Sequence, residues 1–242
     1  MDIEWVDHHE YDGPFSLVKD DGKPPQPVWQ PPKGRFGGDL RTVYSYKMHR
    51  QFNLCYPLEF YLFVIADCQP QVKWLCERPV TVDMVIDGKS VTTTFDFWIL
   101  WDDGMEDFCE VKPQDIVDKG LRQRQIDAQT AWCHMIDRPY RLWTDTTLCQ
   151  QPRLDNCRQM HPYLAQHPGV EWERKVLTAV THAHPFPLSK LTGNTRLETQ
   201  KLLHAAMHLV WRGELFAPLK TQPWHKLTLE PFDHGHHRDP HI

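Results

Sequence analysis

Residues 79–113 read PVTVDMVIDGKSVTTTFDFWILWDDGMEDFCEVKP. The stretch opens with β-branched residues in alternation and turns at Asp87–Gly88. That dipeptide suits a two-residue hairpin turn, because both of its residues tolerate positive φ. The run TFDFWILW, residues 94–101, is expected to be the return strand of this hairpin. The run DFCEVKP, residues 107–113, is expected to be the next strand, ended by Pro113. Residues i and i+2 of a strand point to one face, so Glu110 and Lys112 should project together while Val111 turns into the core. If the return strand pairs with DFCEVKP, Asp96 arrives beside Glu110.

On the N-terminal side, VKWLCERPV (residues 72–80) is rich in β-formers. PLEFYLFVIAD (residues 57–67) reads as a helix. Pro57 suits the first helical position, where a missing N–H has no partner to lose. Phe60, Phe63 and Val64 follow helical spacing, and Glu59 falls in the first turn. Toward the C-terminus, Gln114 to about Met135 reads as one helix, with Ile116, Leu121, Ile126, Ala131 and Met135 facing inward. PYRLWTD (residues 139–145) follows as another strand. Strands, a helix and a further strand predict an α/β mixed sheet flanked by helices.

The ends differ from this middle. Residues 1–34 contain GKPPQPVWQPPKG, too Pro-rich for a helix or a central strand, and are expected to form an arm that ends near Phe36 and Gly37–Gly38. Pro152, Pro162, Pro168 and Gly169 punctuate a stretch that reads as a linker. Beyond it the order is three helical segments, the last running from Thr195 toward Leu215, and then two short strand-like runs. That order predicts a small winged-helix-like C-terminal domain. The expected divisions are an arm at 1–34, a sheet domain at 35–167, the small domain at 168–232 and a His-rich tail at 233–242. The tail and paired histidines such as His204 and His208 lack the spacing of a metal motif and read as ordinary surface or helix residues.

Composition excludes several classes. With 24% charged and 40% hydrophobic residues the chain is that of a globular protein. It has no apolar run of about 18 residues to span a membrane. MDIEWVDHHEYDG is acidic and has no apolar signal segment, which predicts a cytoplasmic location. Seven cysteines, odd in number and with no CxxC, argue against a disulfide framework or a zinc ribbon. The net charge of −5 does not announce a nucleic-acid partner. Binding depends on local patches, however: Lys33, Arg35, Arg41, Lys47 and Arg50 stand against Asp39 alone across residues 33–50, a stretch that suits either a phosphate backbone or a solvated surface arm. Arg41, Lys47 and Arg50, with Arg122 and Arg124 further on, are the candidate DNA-phosphate contacts.

Glu59, Asp96, Glu110 and Lys112 form the candidate catalytic set. Carboxylates gathered in a core repel one another unless a cation offsets them, and hard oxygen donors favour Mg²⁺, with Mn²⁺ as a substitute. Asp96 and Glu110 would be ligands, the Val111 carbonyl a further one. Glu59 would complete the site directly, through water, or at a second ion. Lys112 would orient or deprotonate a water, or stabilise charge on a phosphate. Each residue alone has a plainer reading: Glu59 as a partner of the helix dipole, Glu110 and Lys112 as a surface ion pair. The set in this order is far more specific than any member.

These motifs resemble a known family. The order YPLEFYLF, TFDFWIL, CEVKP is similar to the restriction-endonuclease-like superfamily. Together with YSYKMHR and RQRQIDAQTAWCHMIDRPYRLWTD, covering about residues 44–147, it looks like the TnsA family, the endonuclease subunits of heteromeric cut-and-paste bacterial transposases. The resemblance implies a metal-dependent endonuclease cutting the 5′ ends of a transposon. It also implies double-stranded DNA as substrate, a TnsB-like transposase that cuts and joins the 3′ ends, and a TnsC-like AAA+ ATPase that contacts the C-terminal region. By motif position the catalytic residues fall on Glu59, Asp96, Glu110 and Lys112. Phe95 stands where the family often has Pro or Thr, and Glu110 where it often has Gln. Two other readings stay open: a stand-alone restriction or repair nuclease of the same fold, and a non-catalytic DNA-binding adaptor.

Overall fold

A computed structural model describes residues 15–31 and 40–232, and the backbone strand β1 (Ile3–Glu4). The Gly37–Gly38 end of the arm and the His-rich tail lie outside the described residues. The chain divides into two compact units, Met1–Leu62 with Val72–Leu148, and Phe63–Gln71 with Cys149–Ile242. The second unit thus takes in a part of the helix at 57–68 as well as the stretch from Cys149 onward.

The first unit is mixed α/β. After β2 (Arg41–Ser45) and β3 (Arg50–Leu54), an antiparallel pair, comes helix α1 (Pro57–Cys68), with Pro57 and Glu59 in its first turn as expected. Then follow β4 (Val72–Glu77), β5 (Thr81–Ile86), β6 (Lys89–Thr94), β7 (Phe97–Trp101) and β8 (Glu106–Val111). Helices α2 (Gln114–Asp118) and α3 (Gln123–Met135) lead to β9 (Tyr140–Trp143) and the short α4 (Asp145–Leu148). The central sheet has the order β4-β7-β8-β9, antiparallel except for β8 and β9, which run parallel. A second sheet has the order β1-β5-β6.

The β5–β6 hairpin turns where the sequence put it, with φ of 50° at Asp87 and 70° at Gly88. Its return strand, however, does not run on through TFDFWILW. It stops at Thr94, and β7 begins at Phe97 in the other sheet. Phe95 N–H still donates to Val80 O of the hairpin side, at 3.2 Å, while Asp96 N–H donates to Cys109 O, at 3.0 Å. Asp96 is therefore the residue at which the chain changes sheets, not a strand residue. The burial pattern gives the reason. β6 is largely exposed, whereas every residue of β7 and β8 is buried.

The expected helix from Gln114 to Met135 is likewise two helices. Gly120 and Arg122 both take positive φ, 64° and 73°, which breaks the ladder between α2 and α3. Leu121, expected inside, is half exposed as a result. The core holds Phe95, Trp98, Leu100, Phe108 and Cys133, with Trp132 and Tyr140 against them. Phe15 joins it, so the arm adds to the core and does not only lie over it. Its ring centroid is 5.1 Å from that of Trp132 and 6.2 Å from that of Phe108. Leu17 N–H and Trp98 Nε1–H both donate to the buried Glu106 Oε2. A second cluster, Met84, Ile86 and Ala128, packs α3 on the hairpin.

In the second unit the stretch expected to be a linker is ordered as α5 (Arg153–Met160) and a 3-10 segment at His161–Ala165. Leu154, Cys157, Met160 and Leu164 are buried there, so the prolines punctuate short packed helices. Then come α6 (Val170–His182), β10 (Phe186–Pro187), α7 (Arg196–Trp211), β11 (Leu215–Phe216) and β12 (Thr228–Pro231), the strands in the order β10-β12-β11. Thr195 and Glu198 form a capping box at the start of α7. Trp211 Nε1–H donates to Asp67 O at 2.8 Å, and Arg212 pairs with the buried Glu173. All seven cysteines are free and only Cys149 is exposed. Among the described residues no helix is long and apolar enough to cross a membrane.

The Phe108 ring touches Phe15, Phe95 and Trp132 from three directions. Phe108→Ala is expected to cost about 3–5 kcal/mol of stability. A urea unfolding midpoint that stays at the wild-type value would show that these contacts do not hold the sheet together.

Candidate active site

Three backbone facts set the site. Asp96 is anchored on both sides: its N–H bonds Cys109 O, and its own carbonyl accepts Arg78 N–H at 2.9 Å. Its side chain turns back to accept Val111 N–H on Oδ2 at 2.8 Å. Lys112, one residue past β8, donates its N–H to Trp143 O at 2.9 Å, so the main chain continues the β8–β9 pairing through it. Glu59 is fixed by the start of α1, where its Oε2 accepts Cys55 N–H at 2.8 Å.

The Lys112 ammonium gathers the rest. Its Nζ donates to Glu110 Oε1, lies 3.3 Å from Val111 O and stands 3.8 Å from Asp96 Oδ2. These three oxygens belong to the three residues the sequence assigned to a metal beside Glu59. Glu59 stands apart, with Arg78 Nη1 3.9 Å from its Oε2. Among the described residues no three His, Cys, Asp or Glu side chains form a ready metal cage. What converges is two carboxylates and a main-chain carbonyl on one positive nitrogen.

Electrostatics follow from burial. Glu110 is fully buried; desolvation, then the charge of Asp96, pushes its carboxyl up to about 8 against the pull of Lys112 and Gln129. Desolvation and Asp96 likewise push Glu59 up to about 7. Asp96, whose side chain is 21% exposed, is raised by desolvation and held back by Lys112 and the Val111 N–H. Burial alone would lower Lys112, but Asp96 and Glu110 outweigh it and raise the ammonium. Asp96 is the common neighbour that disfavours ionisation of both glutamates. Oxygen donors gathered around a single cation position, with carboxyls whose ionisation a cation would favour, suit a hard divalent ion.

Residues not foreseen from the sequence hold the set in place. Gln125 Nε2 donates to Glu110 Oε1 at 2.8 Å, and Gln129 Nε2 to Glu110 Oε2 at 2.7 Å. Tyr140 Oη donates to Gln129 Oε1 at 3.2 Å, which fixes that amide. The signal was present: Gln125 and Gln129 are four apart on one helix and so share a face. Arg78 is the other. It is buried, has φ of 46°, and its Nη2 donates to Asn53 O at 2.5 Å. A bulky residue at positive φ carries strain and marks a constrained position.

Neither a protein-family model nor a curated protein matches the chain.

The candidate phosphate contacts separate into groups. Arg50 makes a close ion pair with the buried Glu77, at 2.5 Å, and its guanidinium lies 3.8 Å from the centre of the Phe52 ring. The Arg41 guanidinium lies over the Phe60 ring, and Lys47 is half-buried in the turn after β2. Arg122 and Arg124 are exposed and line an open groove of about 710 Å³ with Thr92, Thr94 and Gln125. Through Gln125 that groove adjoins Glu110. Glu59 and Asp96 line a separate open cleft of about 540 Å³.

The raised glutamates make stability depend on pH. Between about 4.5, their ordinary value, and about 8, the folded chain binds more protons than the unfolded chain. Stability should therefore fall as pH rises through this window and level off above it. Without divalent ions, the loss from pH 5 to pH 9 should be on the order of a few kcal/mol. Glu110→Gln should flatten much of it. Equal slopes for the two proteins in urea titrations across this range would remove Glu110 as the source.

Proposed function

We propose that the chain is a Mg²⁺- or Mn²⁺-dependent DNA endonuclease of restriction-endonuclease-like fold, the subunit of a cut-and-paste transposase that cuts the 5′ ends of the element. The observation that carries this reading is the convergence of Asp96 Oδ2, Glu110 Oε1 and Val111 O on the Lys112 ammonium. Glu59, reached by the same electrostatic field, supplies the remaining acid. The parallel β8–β9 pair beside antiparallel β7, with the acids at one end, agrees with the nuclease core. Helices α6 and α7, with β10 between them and β11 and β12 after them, are compatible with a winged-helix-like module, the segment through which an ATPase partner would dock. The TnsB-like transposase and transposon-end duplex follow from the TnsA resemblance of residues 44–147.

In this reading Asp96, Glu110 and the Val111 carbonyl would hold the ion, and Glu59 would assist directly, through water or at a second ion. Such an ion would supply Lewis-acid polarisation of a phosphate and a lowered water pKa. Lys112 then leaves the oxygens it holds and turns its charge toward the phosphate, where negative charge builds during hydrolysis. Gln125 and Gln129 orient Glu110, so that its oxygens keep their direction when the ammonium moves. Arg122 and Arg124 lie in the adjoining groove, where a DNA backbone would pass.

The test is cleavage of an end-labelled transposon-end duplex in Mg²⁺, with and without the partner transposase. Lys112→Ala should lower cleavage about 10²–10³-fold. It should bind Mn²⁺ at least as tightly as the wild type, because the ammonium that competes for the same oxygens is gone. In transposition assays, 3′ joining should persist and products should shift from simple insertions to cointegrates. A Lys112→Ala protein that gives the wild-type share of simple insertions would reduce the cluster to a structural ion-pair network. Cleavage that needs no partner would favour the stand-alone nuclease.

A further inference from the structure

The cleft over Glu59 and Asp96 has an unusual rim. Trp29 is 44% exposed and Tyr56 is 56% exposed, and both line it, with the Thr81 and Thr94 hydroxyls alongside. Exposed aromatic rings are ordinary on flexible surfaces, but these are held. Val28 N–H donates to Arg78 O at 2.9 Å, and Arg78 Nε donates to Trp29 O at 3.1 Å. Asn53 Nδ2 donates to Gln30 Oε1 at 3.0 Å, which pins the following residue. The Arg78 guanidinium lies 5.3 Å from the centre of the Trp29 ring. Tyr56 immediately precedes α1, and its carbonyl accepts Phe60 N–H at 3.3 Å. Both rings are thus presented at the mouth of the cleft by anchored backbone.

Flat rings on fixed backbone bury large area at little entropic cost, which favours stacking on another flat group. The cleft, of about 540 Å³, has the size of a small-ligand site. Inside a paired duplex the base faces are covered by their neighbours and no side chain reaches them. A base that has left the stack offers a free face to any aromatic ring. We propose that Trp29 and Tyr56 form a stacking platform that takes an unpaired nucleotide next to the phosphate held at Asp96, so that the preferred substrate is DNA with a frayed or flipped base at the cut. The Thr81 and Thr94 hydroxyls, 2.7 Å apart, give the same cleft hydrogen-bonding groups for a sugar or base edge. This rests on the endonuclease reading and adds the structural state of the DNA that the site accepts.

The test measures binding of the full chain, in Ca²⁺ to prevent cutting, to a labelled paired duplex and to the same duplex with a short unpaired bubble. The wild type should favour the bubble by about tenfold or more, the effect of one stacked base. Trp29→Ala and Tyr56→Ala should each lose this preference and bind the paired duplex as before, while Trp29→Phe retains most of it. Circular dichroism of the three variants confirms folding, and Trp29→Phe keeps the test open if an alanine variant does not fold. Equal wild-type affinity for the two DNAs, or an equal loss on both in Trp29→Ala, overturns the platform and leaves the endonuclease reading standing. No binding to either DNA overturns both.

Discussion

Two carboxylates and a peptide carbonyl that face one another in a largely buried cluster call for a positive charge between them, and here the charge is the Lys112 ammonium. Much of the first unit serves that arrangement. Glu110 is buried because β8 lies between β7 and β9. Lys112 is aimed because its N–H is bonded to Trp143 O, and Asp96 is aimed because its N–H is bonded to Cys109 O and its carbonyl to Arg78 N–H. Gln125 and Gln129 reach in from α3, one to each oxygen of Glu110. Removing the cation from such a cluster leaves uncompensated charge, a larger penalty than the loss of any surface pair.

The parts of this site that obey local rules were legible in the sequence. Pro57 starts α1 two residues before Glu59, Asp87–Gly88 turns the hairpin, and the i, i+2 spacing puts Glu110 and Lys112 together. What was not legible depends on tertiary context. Strand propensity runs unbroken through Thr92–Trp101, so nothing local shows that the chain leaves one sheet at Thr94 and enters another at Phe97. The switch follows from burial: a polar edge strand and a strand covered on both faces cannot be one element. Gly120 hinted at the break before α3, but Arg122 in a left-handed conformation did not, because arginine has no local preference for that region. The prolines between 149 and 169 signalled irregularity correctly and length wrongly, since Pro152 and Pro162 sit at the starts of short packed helices.

The second unit shows how the same polar economy works away from any candidate chemistry. Asn156 donates to Leu219 O and Gln222 O, both at 2.7 Å, and so ties α5 to the loop before β12. Asp67 pairs with His161 at 3.0 Å while its carbonyl accepts the Trp211 indole. The Asn156 amide N–H groups and the Trp211 indole are matched to main-chain oxygens of distant segments, which specifies one packing of α5 and α7 where leucines alone would tolerate several.

Arg78 joins the acid of the cleft to the tryptophan on its rim. One guanidinium faces Glu59, holds Asn53 O and supports Trp29, and its own main chain bonds Asp96 and Val28. Lysine has neither the number of donors nor the plane to replace it. The positions 28–30, 53, 59 and 78 are thereby bound into one heritable unit. A lineage that discards Arg78 loosens the tryptophan strap and the support of the acid at once, and selection acting on either end is felt at the other. The rim of this cleft and its floor are expected to drift together through descent, however far apart they lie along the chain.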